Sequence, residues 1–380
     1  LVKQAEELVQ KWEAGDKETL ALWKKMAGWA LEGINATFKR LGMKFDTVYL
    51  ESKLWKSGKK IVAQGLKKGI FKKDESGAVL VEFSEIYGGP SSGCPEDGPP
   101  YMQKLPPKIL LRADGTAIYA TSDLALTPEK FKKYQLDRAI WCVGQEQNLY
   151  LQQLFSIMKM LGYKWADSCE HLSYGLVHLP QGRMKTREGT VVEADQLLDT
   201  MVELAKQEVK ARHAHLSVNE IKKRAEIIAQ AALRYYLLKV GPKQTMHFDP
   251  QASLAFTGDT GPYLLYTYAR IASILRKSQT NYKIKIPNSK LALHNLEWSL
   301  LLQIARFSEV VAKAAVDRDP SHLAKYLYTL AQSFSEFYEQ VPVLKAETTQ
   351  RAFRLALLNT LRATLKQGLQ LLTIPTVEEM

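Results

Sequence analysis

Cysteine is scarce in this chain and forms no recognisable motif. The 380 residues include three cysteines, Cys94, Cys142 and Cys169, and no two of them have the spacing of a C-x-x-C pair. An odd number of widely separated cysteines is atypical of a disulfide framework or a structural zinc site. We therefore predict a protein of a reducing compartment, the cytoplasm, without a structural metal.

Long apolar runs and glycine-rich phosphate loops are also missing. No apolar run approaches the roughly 20 residues that a membrane-spanning helix needs, so we expect no membrane partner. Neither the Walker pattern G-x-x-x-x-G-K-[S/T] nor the dinucleotide pattern G-x-G-x-x-G occurs.

Acidic residues are fewer than basic ones, since 52 basic and 40 acidic side chains leave a net charge of +12. This balance favours a polyanionic partner such as nucleic acid, although a basic surface also serves solubility alone.

The centre of the chain alternates strand-length apolar runs with a helix-period run. Residues 108–111, 139–143 and 171–179 have strand length, whereas the apolar positions of residues 147–161 recur with helical period. This order predicts parallel strands joined by crossover helices, and such sheets bind ligands at the carboxyl ends of their strands. Functional side chains are therefore expected just after each strand.

The flanking segments predict two further parts of the fold. Residues 2–41 have a continuous helical period, and residues 70–83 have the pattern of a hairpin. Beyond residue 194, helical periods separated by short polar loops are typical of a bundle. We predict an incomplete Rossmann-like parallel α/β half, preceded by an α+β insertion and followed by an all-α helical bundle.

Two side chains after the first predicted strand are candidates for ligand binding. Tyr119 and Asp123 stand four residues apart at a strand-to-helix turn, so both can face one pocket. A carboxylate beside a phenol suits a planar cation, because a guanidinium binds carboxylate oxygens in pairs and stacks on rings. In the alternative interpretation, Asp123 is only a favourable charge at a helix N-terminus. Gln147 opens the next helix, where it supplies an amide contact or is simply solvated.

A basic loop lies between two glycines after the last predicted strand. It consists of Arg183, Met184, Lys185, Thr186 and Arg187. Three cations in five residues are suited to neutralising charge that develops on a triphosphate. The alternative is an ordinary basic surface loop.

An aromatic stripe opens one of the later helices. Tyr263, Tyr266 and Arg270 have the spacing of one helical face, after a Thr260 cap. Such a stripe is either a set of buried tyrosines or a stacking platform for unpaired bases with a cation at its edge.

Taken together, these segments resemble the arginyl-tRNA synthetases, a family of class I aminoacyl-tRNA synthetases. The resemblance covers residues 40–380 and is carried by four motifs and by the tail, which has Phe337-Tyr338, Pro342-Val343 and the ending Pro375-Thr-Val-Glu-Glu-Met380. The motifs are D-G-T-x-x-Y-x-x-x-D-x-A at 114–125, V-G-x-E-Q at 143–147, H-x-x-Y-G-x-V at 171–177 and G-D-T-G-P-Y-x-x-Y-x-x-A-R at 258–270.

The resemblance implies an ATP-dependent attachment of arginine to tRNA(Arg) through an arginyl-adenylate, with ATP and Mg²⁺ as substrate. Tyr119, Asp123 and Gln147 would hold the guanidinium of L-arginine. The loop at 183–187 would take the place of the class I K-M-S-K loop at the ATP phosphates, with His171 and Gly175 in the strand before it. The residues expected around the anticodon are Tyr263, Tyr266, Arg270, Tyr338 and Met380.

The sequence departs from the family at several positions. Tyr150 stands where the family often has histidine, and Arg183 and Lys185 replace the first lysine and the serine of the signature loop. The H-I-G-H-type signature, half of the ATP site, does not occur in this chain. We therefore expect a carboxyl-terminal portion of the enzyme that is inactive alone. We also expect it to be a monomer.

The expected domains are four. Residues 1–107 would be the α+β insertion with part of the catalytic domain, 108–200 the second Rossmann-like half, 201–240 connecting helices and 241–380 the anticodon-binding bundle. Two alternatives remain open at this point: a non-catalytic tRNA-binding paralogue, and a class I synthetase for a small or apolar amino acid. The second would leave Asp123 as an unpaired buried charge.

Overall fold

The structure, a computed structural model, describes residues 2–83, 105–178, 193–213, 215–278 and 292–379. The basic loop at 183–187 and Met380 lie outside these described residues. The chain divides into two compact units, Leu1–Tyr174 and Gly175–Met380.

The first unit combines helices with two small sheets. Its helices are α1 (Val2–Ala14), α2 (Lys17–Arg40), α3 (Trp55–Lys67), α4 (Tyr119–Tyr134) and α5 (Asn148–Met160), with 3₁₀ turns at Glu51–Lys53, Gln145–Gln147 and Lys164–Ser168. Its strands are β1 (Lys72–Lys73), β2 (Val79–Val81), β3 (Lys108–Leu111), β4 (Ala139–Gly144) and β5 (Cys169–Tyr174). The largest side chains buried in its core include Phe71, Phe83, Leu110, Leu124, Leu154, Ile157 and Met158.

The predicted parallel crossover is confirmed in part. β4 and β5 pair in parallel, from Ala139 opposite Cys169 to Gly144 opposite Tyr174, and α5 connects them. The expectation that residues 108–111 form a third strand of this sheet is wrong. β3 pairs antiparallel with β2 of the predicted hairpin, because the buried Val79 and Val81 of β2 share a core with Leu110.

The prediction of a single helix over residues 2–41 is also wrong, because the helix is interrupted between α1 and α2. Gly15 has a φ of +86°, a left-handed conformation that favours glycine. Asp16 then caps α2, since its Oδ1 accepts a hydrogen bond of 2.9 Å from the Thr19 N–H. The helical period continued across the break and concealed it.

The second unit is a helical bundle beside a short two-stranded sheet. Its elements are β6 (Val177–His178), α6 (Ala194–Arg212), α7 (Val218–Leu238), β7 (Met246–His247), α8 (Pro250–Ser253), α9 (Gly261–Lys277), α10 (Asn295–Ala305), α11 (Phe307–Asp317), α12 (Ser321–Gln340) and α13 (Thr348–Leu371). The predicted cap of α9 is confirmed, because the Tyr263 N–H donates to Thr260 Oγ1 at 3.3 Å. Across the described part of the chain, no helix is long and apolar enough to cross a membrane.

The contact between α3 and α4 tolerates no added atom. A Cβ on Gly58 would lie 1.8 Å from the Thr121 carbonyl oxygen, whereas a Cβ on Gly33 in α2 would meet nothing within 4 Å. We predict that Gly58→Ala lowers the free energy of unfolding by about 1–3 kcal/mol, the usual effect of overpacking. Gly33→Ala should raise it by up to about 1 kcal/mol, because alanine is the better helix former. Urea titrations followed by tryptophan fluorescence measure both, and equal effects would contradict the tight α3–α4 contact.

Candidate functional site

The structure brings Tyr119 and Asp123 together through a third residue, Tyr150. Tyr119 and Asp123 lie one turn apart at the start of α4, and Tyr150 lies in α5. The Tyr150 hydroxyl donates a hydrogen bond to Asp123 Oδ2, and the Tyr150 ring makes an edge contact with the Tyr119 ring, with centroids 4.7 Å apart. The residue that departs from the family pattern is therefore the one that positions the carboxylate.

A lysine from β3 completes this cluster. Lys108 Nζ donates to the Tyr119 hydroxyl at 2.8 Å and lies 4.8 Å and 4.9 Å from the ring centroids of Tyr119 and Tyr150. The two aromatic rings thus already hold a cation of the protein. Such contacts show that the ring faces offer the negative potential that a bound cation requires.

The Asp123 carboxylate is half-buried and has no cation bound to it. Burial raises its pKa, while the hydrogen bond from Tyr150 and the charge of Lys130 act in the opposite direction. No lysine or arginine of the described residues forms an ion pair with it. Burial, followed by the charge of Asp123, raises the pKa of Tyr150 well above its ordinary value, so the phenol stays protonated and donates. A half-buried carboxylate without a cationic partner is typical of a binding site for a cation.

A second carboxylate, which the sequence did not single out, lies near the first. Glu51 begins the 3₁₀ turn before α3. Burial, and secondly the negative charge of Asp123, raise the pKa of Glu51. Because Glu51 and Asp123 are far apart in sequence, no local pattern could have joined them.

Gln147 is not part of the cluster. Its side chain is exposed at the end of the Gln145–Gln147 turn and forms no hydrogen bond with the residues that the structure describes. Its proposed contact with arginine stays a prediction.

His171 and Gly175 have structural contacts. His171 Nε2 donates to the Val143 carbonyl oxygen at 3.0 Å, which ties the ring to the neighbouring strand. In the second unit, the Gly175 N–H donates to the Pro242 carbonyl oxygen at 2.7 Å, and a Cβ on Gly175 would lie 2.2 Å from the Gln244 carbonyl oxygen. Glycine is therefore required at 175 for close backbone packing.

The predicted anticodon residues partly converge on one surface of the second unit. The Arg270 guanidinium lies 4.4 Å from the ring centroid of Tyr338 and 5.8 Å from that of Tyr266. No described carboxylate pairs with Arg270. Tyr263 is half-buried instead, where its hydroxyl lies 3.0 Å from Ser335 Oγ and its ring packs against Tyr328. Tyr263 therefore supports the surface, while the other three residues form it.

Comparison with protein families shows the family to which the chain belongs. The family model described as "tRNA synthetases class I (R), catalytic domain" matches residues 1–249. The chain belongs to the class I arginyl-tRNA synthetase family. A second model, "DALR anticodon binding domain", matches residues 264–380 of the same chain.

Similar proteins agree with this assignment. The chain is 41% identical to the arginine–tRNA ligase of Treponema denticola over 99% of its own length and 62% of that protein's length. It is 38% identical to the arginine–tRNA ligase of Porphyromonas gingivalis, over 100% of its own length and 62% of that protein's length. Its fold matches Thermus thermophilus arginyl-tRNA synthetase with a TM-score of 0.76 and 26% identity, covering 98% of this chain and 68% of that one. The chain thus spans about 62% of the length of the curated relatives it matches.

The electrostatics around Asp123 predict an unusual pH dependence of the free energy of unfolding. Because the folded-state pKa of Asp123 is raised, the protonated carboxyl contributes stability that is fully present below the ordinary aspartate pKa and is lost as the pH rises through the folded-state pKa. We predict that Asp123→Asn is more stable than the parent at pH ~7 and that this difference shrinks as the pH falls towards the ordinary aspartate value of about 3.9.

Asp114 provides a control of opposite sign. Hydrogen bonds from Gln10 and Thr116 lower its pKa to about 2. Asp114→Asn should therefore be less stable than the parent at neutral pH, and this deficit should fade as the pH falls to about 2. Urea unfolding across the pH range measures both variants. A stability loss in Asp123→Asn at neutral pH would show that the ionised carboxylate is satisfied within the protein.

Proposed function

We propose that the protein acts in the ATP-dependent attachment of arginine to tRNA(Arg). An arginine carboxylate oxygen attacks the α-phosphorus of ATP, which enters as its Mg²⁺ complex, and pyrophosphate leaves. A terminal ribose hydroxyl of the tRNA then attacks the carbonyl of the adenylate, and AMP leaves. Side chains in such a reaction position the substrates and stabilise charge.

The observation that carries this proposal is the half-buried Asp123 carboxylate without a cation partner in the described residues. A guanidinium would supply the missing charge and fill both carboxylate oxygens. Tyr119 and Tyr150 would line the guanidinium with their ring edges and faces. Glu51 would add a second negative charge to the site. Such a site discriminates strongly against an uncharged side chain, because its buried polar groups would then be unpaired.

The remaining expectations from the family belong to this proposal. The cations of the 183–187 loop would neutralise the ATP phosphates, and the close packing at Gly175 would fix the chain that leads into that loop. We assign residues 1–107 and 108–200 to the catalytic side, 201–240 to connecting helices and 241–380 to anticodon binding. We place the protein in the cytoplasm, where its cysteines stay reduced.

The surface made by Tyr266, Arg270 and Tyr338 suits an unpaired nucleotide. Aromatic rings provide stacking faces for bases. Arg270 pairs with no acidic side chain among the described residues, so its guanidinium is available to a nucleotide. The net charge of +12 adds long-range attraction for RNA.

The amino-acid site predicts the effect of removing one charge. In a polypeptide that joins this chain to the remaining segment of its longer relatives, Asp123→Asn should raise the KM for arginine about 100-fold or more, because it leaves a desolvated cation unpaired. Arginine-dependent ATP–pyrophosphate exchange measures this. The control is Asp114→Asn, whose carboxylate is exposed and bonded to Gln10 and Thr116, and it should leave the KM unchanged. An unchanged KM in Asp123→Asn would remove Asp123 from the site.

The nucleotide surface predicts a specific loss of RNA binding. Arg270→Ala should weaken tRNA(Arg) binding by the chain about tenfold, within the range of ~1–3 kcal/mol for one stacked base. Arg212 is a matched control, because its guanidinium also lies on a ring, 3.9 Å from the Phe256 centroid, but pairs with Glu208. Arg212→Ala should change affinity less than twofold in the same fluorescence titration. Equal losses would indicate that charge alone drives binding.

A further inference from the structure

Three hydroxyl groups converge at the end of α4 that lies opposite Tyr119. Tyr134 is the last residue of this helix, which carries it about 22 Å from Tyr119. Its hydroxyl oxygen accepts a hydrogen bond of 3.0 Å from the Tyr49 hydroxyl and lies 2.8 Å from Thr47 Oγ1. Both partners come from the segment between α2 and the Glu51–Lys53 turn. This cluster is therefore separate from the candidate amino-acid site at the start of α4.

A lysine adds positive charge to the three hydroxyl groups. Lys133 Nζ lies 5.0 Å from the ring centroid of Tyr134 and 5.5 Å from that of Tyr49. Its charge offsets the negative end of the α4 dipole, which otherwise disfavours an anion at a helix C-terminus. Two hydroxyl groups and a cation around one phenol oxygen stabilise a phenolate, because each of them interacts more favourably with the anion than with the neutral phenol.

The ionisation of Tyr134 reflects these contacts. Hydrogen bonds with Thr47, Tyr49 and Lys133 lower the pKa of Tyr134 to about 8, whereas the hydrogen bond that Tyr49 donates raises the pKa of Tyr49. At pH ~7.5 about a quarter of a phenol with this pKa is ionised, against about 0.3% of an ordinary tyrosine. The Tyr134 side chain is 42% exposed, so a small molecule can reach its oxygen.

We propose that Tyr134 is a nucleophilic tyrosine and a site of O-acylation by activated acyl donors such as N-acylimidazoles. The phenol first loses its proton to water. The phenolate oxygen then attacks the acyl carbon, so that a C–O bond forms, the C–N bond to the azole breaks, and imidazole leaves after taking a proton from water. The product is an aryl ester at Tyr134 Oη. This inference does not rest on the proposed function, since Tyr134 and its three partners belong neither to the amino-acid site nor to the nucleotide surface.

The test treats the 380-residue chain with N-acetylimidazole at pH ~7.5 and measures the rate of ester formation at each tyrosine by peptide mass spectrometry. Tyr174 is the internal reference, because it is similarly exposed, at 47%. Tyr134 should react about tenfold faster than Tyr174, since its larger ionised fraction outweighs the lower nucleophilicity of a weaker base. The rate at Tyr134 should increase with pH to a plateau, with its midpoint at about 8.

Removal of the hydrogen-bond partners should abolish this advantage. Thr47→Val combined with Tyr49→Phe should slow the reaction at Tyr134 about tenfold, because the phenol returns towards its ordinary pKa. Tyr49→Phe alone should slow it about threefold, and this variant decides the question if the double variant does not fold. Tyr134→Phe should remove the ester at that position and leave the rate at Tyr174 unchanged.

The matched control carries the same two substitutions in the second unit, Thr329→Val and Tyr236→Phe. There the two hydroxyls donate to the carbonyl oxygens of Lys325 and His247. This control should change the rate at Tyr134 less than twofold. Circular dichroism confirms that each variant is folded.

Three results would each overturn the proposal. They are a rate at Tyr134 no higher than that at Tyr174, a pH midpoint near the ordinary value of about 10, and a folded donor variant that reacts as fast as the parent.

Discussion

The carboxylate of Asp123, half-buried and hydrogen-bonded to one phenol, is the constraint on which the proposed site of the first unit depends. Water is partly excluded from it, so its charge is unfavourable until a cation arrives. Lys108 lies on the ring faces of Tyr119 and Tyr150, and Lys130, whose charge acts on Asp123, lies over the Trp141 ring. None of the described lysines or arginines forms an ion pair with the carboxylate. Tyr150 remains protonated beside it and fixes its direction. The site is thereby prepared for a ligand that brings both charge and paired N–H donors.

Local signals in the sequence predicted the elements that local physics determines. The Thr260 cap and the hairpin before β3 follow from hydrogen bonds within a few residues, and the structure contains both. The candidate pair Tyr119 and Asp123 was found for the same reason, since an i, i+4 spacing places two side chains on one face.

Contacts between distant segments could not be predicted in this way. β3 pairs with β2, a hairpin strand that lies far from it in the sequence. Glu51 likewise approaches Asp123 from a distant element. A short apolar run does not say which strand it will join, because parallel and antiparallel partners bury the same side chains. The partner of Asp123, Tyr150, was visible only as a departure from a family pattern.

The two units support their sites by different means. In the second unit, α9 buries Leu264, Leu265 and Tyr268 in a core shared with α12 and α13, so the outward Arg270 stands on a fully packed helix. A buried ion pair adds to that rigidity, because Arg354 Nε donates to Glu297 Oε1 at 2.6 Å and Arg354 Nη1 donates to the Pro342 carbonyl oxygen at 2.7 Å. In the first unit, α2 has no buried residue and lines a groove to which Glu51 and Tyr119 also contribute. Arg270 is therefore held by a packed core, whereas the cluster around Asp123 borders a groove with an exposed helix on one side.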